Sequence, residues 1–223
     1  MARSGPDTGP DRRHLASRPF HDRRRLRIGL FGGSFNPAHE GHLHLSDLAR
    51  RALRLDEIWW LVSPQNPLKT VCGMASLPAR LCGARRITRK RRHVRVIAPE
   101  AEFRSALTAN TLLTLRKRCP RHRFIWLMGA DNMASFNSWQ RHNVIAGSMP
   151  IAVIDRPGYS YPAMSMGDRL LDRRVPPGRM AANLRGSGHL GRQWCFIAGR
   201  RHHASATALR QTGRQGANVE RDD

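Results

Sequence analysis

The sequence predicts an α/β protein of the doubly wound, Rossmann-like class: a mostly parallel sheet with helices on both faces. Two observations carry this. The runs LRIGLF, EIWWLV, HVRVIA, RFIWLM, PIAVID and QWCFIA are short, apolar and rich in Ile, Val, Trp and Phe, as strands are. Helix-like stretches lie between most of them, and apolar strands alternating with helices imply a parallel sheet covered on both sides.

In chain order, residues 1–25 mix Gly, Pro, Ser and Arg without apolar periodicity and read as a mobile basic arm. Order begins near Leu26 with the first strand. Helices are expected over His42–Leu55, Leu77–Arg91, Ala109–Lys117 and Met133–Ala146. The stretch 156–193, rich in Gly, Pro and Arg, is too irregular to place. The expected organisation is one domain over 26–212, preceded by the arm and followed by a polar tail over 213–223.

Composition narrows the function. A chain of 223 residues with 40% hydrophobic content can build one real core. A formal net charge of +23 calls for an anionic partner, whether nucleotide, nucleic acid or acidic membrane. Cys72, Cys82, Cys119 and Cys195 form no C-x-x-C pair, which argues against a zinc knuckle or a disulfide framework and for reduced thiols in the cytoplasm. No apolar run approaches the ~20 residues that span a bilayer. The basic start also lacks the apolar core of a secretory signal.

Ligands of doubly wound sheets sit beyond the carboxyl ends of the strands, where strand order reverses. Directly after the first strand comes GGSFNPAHEGH, residues 32–42. Gly32 and Gly33 permit a tight turn close to a bulky anion. His42 falls in the first helical turn, where free backbone N–H groups and the dipole favour negative charge, and His39 lies three residues earlier. Two imidazoles there suit the charge that builds on a phosphoryl group in transfer. On spacing alone, a metal site and ordinary surface histidines compete with this phosphate cradle. Neither G-x-x-x-x-G-K-[ST] nor G-x-G-x-x-G is present.

The eleven-residue string resembles the G-G-[ST]-F-[DN]-P-x-H-x-G-H signature of the H-x-G-H nucleotidyltransferase superfamily. Within it, the chain looks most like the bacterial nicotinate-nucleotide adenylyltransferases. Further segments follow in that family's order, over residues 27–211. SPQNPLKT resembles its loop ending in lysine, which makes Lys69 a candidate phosphate contact. ALTANTLLTL, residues 106–115, is similar to its S-Y-T-x-D-T-L segment; Thr108 matches and is also a sound N-cap, whereas Leu107 and Asn110 depart. FIWLMGADNMASFNSWQRH resembles the M-G-A-D-x-x-x-x-F-x-x-W block, with Asn137 where His is frequent. Gly129 would admit adenosine near the strand end, Asp131 would accept from a ribose hydroxyl, and Trp139 would offer its face to a cationic pyridine ring. VIDRPGY also looks familial, with no role assigned to Arg156. HHASATALR, residues 202–210, resembles the [ST]-[SA]-T-x-[IL]-R motif, whose Ser205, Thr207 and Arg210 would meet the triphosphate.

The resemblance implies transfer of AMP from ATP to nicotinate mononucleotide, giving deamido-NAD and pyrophosphate, with Mg2+ accompanying ATP. His42, His39, Lys69 and Arg210 form the implied catalytic set. Gly32, Gly33, Ser34, Phe35, Gly129, Asp131, Ser205 and Thr207 complete the ATP site; Asn36, Lys69, Thr108 and Trp139 would hold the mononucleotide. The alternatives are a relative acting on nicotinamide mononucleotide or phosphopantetheine, or a basic nucleic-acid-binding protein on an inactive scaffold, suggested by ARRITRKRRHVR at 84–95.

Overall fold

The computed structural model describes residues 24–64, 74–103, 105, 107–186, 188 and 190–199. The expected arm lies outside these residues apart from its last two, and the expected tail lies wholly outside them.

A seven-stranded sheet runs through the centre. Its strands are β1 (Arg27–Gly33), β2 (Glu57–Val62), β3 (Val94–Ile97), β4 (Arg123–Gly129), β5 (Ile151–Ile154), β6 (Arg173–Arg174) and β7 (Gln193–Ile197). They lie in the order β3-β2-β1-β4-β5-β7-β6, and every pairing is parallel. Between them run α1 (Glu40–Leu53), α2 (Leu77–Thr88), α3 (Pro99–Phe103), α4 (Thr108–Arg118), α5 (Ala130–Ala134), α6 (His142–Ser148), α7 (Ser160–Leu170) and α8 (Pro177–Asn183).

Alternate side chains of one strand point to opposite faces, so each central strand feeds two cores. Ile28, Leu30, Trp59, Trp126, Met128, Ile151 and Trp194 enter the core under α4, α5, α6 and α7. Phe31, Ile58, Trp60, Ile125, Leu127, Ala152 and Cys195 enter the one under α1, α2 and α8. Burial on both sides is why these strands read as unbroken apolar runs.

Three expectations need correction. The single helix expected over Met133–Ala146 is two, α5 and α6, joined by a 3-10 turn at Phe136–Ser138. Trp139 is extended and Arg141 left-handed at φ 59°, while Phe136 is fully buried and Trp139 packs beside it, so side-chain anchoring overrides the helical pattern. Thr108 is not the N-cap of α4: the extended Leu107 holds that position without a side-chain bond, which draws Thr108 into the first turn. The stretch 156–193, left unplaced by sequence, holds α7, β6 and α8. Only a proline at the first position marks the start of α8.

Strand order reverses between β1 and β4, whose chain leaves in opposite directions across the sheet. The carboxyl ends of these two strands therefore form the crevice where a ligand is expected.

Candidate functional site at the β1–β4 switch

At the end of β1, Gly32 is glycine for a packing reason: a Cβ there would collide with the Trp126 ring from β4. The neighbouring strand fills the space. Three residues on, Phe35 turns the chain in the left-handed region at φ 47° and drives its ring inward. That ring is buried, stacks on Trp60 at 4.7 Å and 14°, and lies 4.9 Å from the His42 ring. Phe35 therefore faces any ligand only with its backbone, and its side chain is the floor beneath His42.

The histidines close the start of α1 on each other. His39 is the N-cap; its Nδ1 accepts from the Gly41 N–H at 3.1 Å, and His42 Nδ1 accepts from the His39 N–H at 3.2 Å. Imidazoles thus occupy the places that Ser and Glu take in an ordinary capping box. Because each Nδ1 accepts a backbone proton, the neutral rings carry their own proton on Nε2, so Nε2–H is the donor each can offer. His39 is buried and His42 half-buried. Behind them, the Trp60 indole N–H donates to Ser46 Oγ at 2.8 Å, and the Ser46 hydroxyl donates to the His42 carbonyl at 2.8 Å.

Across the crevice, β4 ends at Gly129, and α5 begins with Asp131 in its first turn. A Cβ on Gly129 would meet the Asp131 carboxylate and would lie 2.8 Å from Arg156 Nε. Asp131 Oδ1 is buried without a hydrogen bond and lies 3.4 Å from Arg156 Nε, while Oδ2 accepts from Arg156 Nη1 at 3.4 Å. Trp139 stands half-buried with its edge toward Trp126 and Phe136. Asn110, at the position departing from the family's Asp, accepts from Arg141 Nη1 at 2.6 Å. Asn36 Oδ1 accepts from the Ala75 N–H at 3.1 Å.

The structure thus gathers Gly32 and Gly33 at the end of β1 with Ser34, Phe35, Asn36, His39 and His42 just past it, and Gly129 at the end of β4 with Asp131 and Trp139 past it. Thr108 stands at the start of α4. Lys69, Ser205, Thr207 and Arg210 lie outside the described residues. Sequence reasoning missed the Arg156–Asp131 pair, for which the only signal was an arginine just past a strand adjacent to β4. It also missed Arg80, whose signal is helical spacing: Arg80, Ala84 and Thr88 form the buried stripe of α2.

Among the described residues, no three or more His, Cys, Asp or Glu stand together as a metal ion would require. Burial pushes the Cys119 thiol up to about 11 and Cys195 up to about 12, so both are neutral core groups rather than nucleophiles.

A parallel sheet with an imidazole-capped helix start at its switch point is the arrangement of a nucleotide-binding α/β protein. A family model described as cytidylyltransferase-like matches residues 30–212. A "Probable nicotinate-nucleotide adenylyltransferase" of Gluconobacter oxydans is 44% identical over 191 residues, covering 84% of this chain and 95% of that protein. One of the same name from Brucella suis is 44% identical over 188 residues, covering 83% and 95%. Another from Erythrobacter litoralis is 55% identical over 140 residues, covering 63% of this chain and 64% of the relative. Among solved structures, the nicotinic acid mononucleotide adenylyltransferase of Plasmodium falciparum, complexed with APC, superposes with a TM-score of 0.59. It is 15% identical, over 84% of this chain and 83% of that one, a likeness of fold. The chain belongs to the cytidylyltransferase-like family and, within it, to the nicotinate-nucleotide adenylyltransferases.

Proposed function

We propose that this protein transfers AMP from ATP to nicotinate mononucleotide, forming deamido-NAD and pyrophosphate. The observation that carries the reading is the reciprocal histidine cap at the start of α1, directly past the Gly-Gly end of β1. A 5′-phosphate oxygen of the mononucleotide attacks the α-phosphorus of ATP in line. The bond from that phosphorus to the bridging oxygen breaks, and pyrophosphate leaves with the electron pair. The attacking group is already an anion, so the chain supplies positioning and charge stabilisation rather than a nucleophile.

His42 and His39 offer Nε2–H donors to the α-phosphate, at the positive end of the α1 dipole. Gly32, Gly33 and Ser34 present backbone close to the phosphates. Asp131 accepts from the ribose of ATP once its hold on Arg156 is shared. Trp139 offers a ring to the nicotinate group, with Thr108 and Asn36 at the mononucleotide's end. Lys69, Ser205, Thr207 and Arg210 enter the proposal by resemblance alone, as further phosphate contacts.

Mg2+ enters as part of the ATP substrate. Magnesium keeps its waters and binds phosphate oxygens in preference to an all-protein cage. When bound it neutralises charge on the phosphates. The reading carries a cytoplasmic setting with it, in keeping with cysteines that form no C-x-x-C pair.

Pyrophosphate release from ATP, measured with nicotinate or nicotinamide mononucleotide in competition, tests the reading. Preference for the nicotinate form is expected. Preference for the amide, or release with neither, overturns it.

A further inference from the structure

Arg80 is 3% exposed, on the inner face of α2. Among the described residues no carboxylate lies within ion-pair distance of it, and burial pushes its guanidinium below the usual arginine range. A buried cation of this kind is costly, and a well-packed apolar side chain commonly serves a fold as well or better. Its bonds show what the charge is for. Nε donates to the Ala75 carbonyl at 2.9 Å, Nη1 to Ser34 at 2.7 Å and to Ser63 at 2.7 Å, and Nη2 to Pro64 at 2.8 Å.

These four carbonyls belong to three separate pieces of chain: the turn after β1, the segment leaving β2, and the approach to α2. Two further bonds join the same pieces. The Ser63 N–H donates to the Gly33 carbonyl at 3.0 Å, and the Ala75 N–H donates to Asn36 Oδ1 at 3.1 Å. Only a planar fork of five N–H groups can serve so many acceptors at once; an ammonium donates from a single atom.

We propose that Arg80 is a positioning residue, whose guanidinium locks the Gly32–Asn36 turn onto the segments at Ser63–Pro64 and Ala75 and so sets where the phosphate-facing backbone and the histidine cap stand. The kinetic part of this inference rests on the adenylyltransferase reading; the geometric part does not. A misplacement of about 1 Å at a reacting centre is enough to cost on the order of 10²-fold in rate.

The test uses the full chain with Arg80→Met and Arg80→Lys, beside Leu115→Ala, a fully buried position on α4 remote from the clamp. Thermal unfolding, exchange of the Ser63 amide proton and steady-state kinetics are measured for each. Arg80→Met is expected to fold, to speed Ser63 exchange, and to lower kcat about 10–10²-fold with little change in KM for the mononucleotide. Arg80→Lys should recover part of that loss, and Leu115→Ala should lower Tm while keeping kcat at temperatures where it is folded. Normal kcat in folded Arg80→Met, or losses that track Tm equally in Leu115→Ala, overturn the proposal. If Arg80→Met does not fold, the same outcomes are read from Arg80→Lys. Should the wild type prove inactive, the adenylyltransferase reading fails by itself. Ser63 exchange then decides for the clamp, faster exchange supporting it and unchanged exchange overturning it.

Discussion

His39 and His42 stand with their ring centroids 3.9 Å apart, and each ring is tied by Nδ1 to backbone of the helix start they share. One imidazole edge builds the helix, and in the proposed reaction Nε2–H is the donor to phosphate. The two roles separate by substitution. In His42→Asn the carboxamide oxygen takes the place of Nδ1, and the cap survives while Nε2–H is lost. Turnover should fall by about 10²–10³, the scale of one missing transition-state donor, with Tm close to wild type. Asn at position 39 is likewise a good N-cap and should give a smaller loss. Normal turnover in folded His42→Asn would remove the histidines from the reaction.

Ser46 lies between the core and the cap. It accepts from the Trp60 indole and donates to the His42 carbonyl, with 1% of its own surface exposed. Ser46→Ala strands a buried indole N–H, so a stability loss of about 1–3 kcal/mol is expected in urea unfolding. Ser46→Thr keeps the hydroxyl and should lose less. Equal stability in the alanine variant would mean that the indole finds another acceptor.

What could be read in the sequence follows from how local each signal is. The central strands were legible because burial on both faces leaves them apolar throughout, and the β1 turn because its motif is contiguous. Phe35 was legible as part of that motif but not as a core ring, because its direction depends on a left-handed backbone and on Trp60 from the next strand. Arg80 and Ser34 are 46 positions apart, and Asp131 and Arg156 are 25 apart. Such partners exist only once strand order has brought them together. The break between α5 and α6 escaped notice because packing of Phe136 and Trp139, not a glycine or proline, ends the helix there.

Gly129 is the tightest point of the β4 side. A methyl group there runs into the Asp131 carboxylate and the Arg156 side chain at once, so Gly129→Ala should part this pair and raise KM for ATP. Asp131→Asn weakens its hold on Arg156 without steric change and should raise the same KM by less. If KM for ATP is unmoved in both variants while Tm falls, the pair is structural only.

Two carboxylates, Asp56 half-exposed and Glu100 buried, give stability opposite dependences on pH. The Arg27 guanidinium, donating to Asp56 Oδ1 at 2.7 Å and to Oδ2 at 3.0 Å, holds Asp56 below its ordinary 3.8. Its contribution is present above that value and is lost as pH falls through the depressed one. Glu100 is the reverse: burial raises it above 4.5, against the opposing pull of the Ser63 hydroxyl that donates to it at 2.8 Å. Folding therefore favours the protonated acid, and that contribution is complete below 4.5 and lost as pH rises through the raised value. Glu100→Gln keeps an acceptor for Ser63 and never ionises. Its Tm should match wild type near pH 4 and exceed it at pH 7, whereas Asp56→Asn should fall below wild type at pH 7 and approach it as acid is added. A Glu100→Gln curve parallel to wild type across that range would show that Glu100 ionises in the folded protein as it does in the unfolded chain.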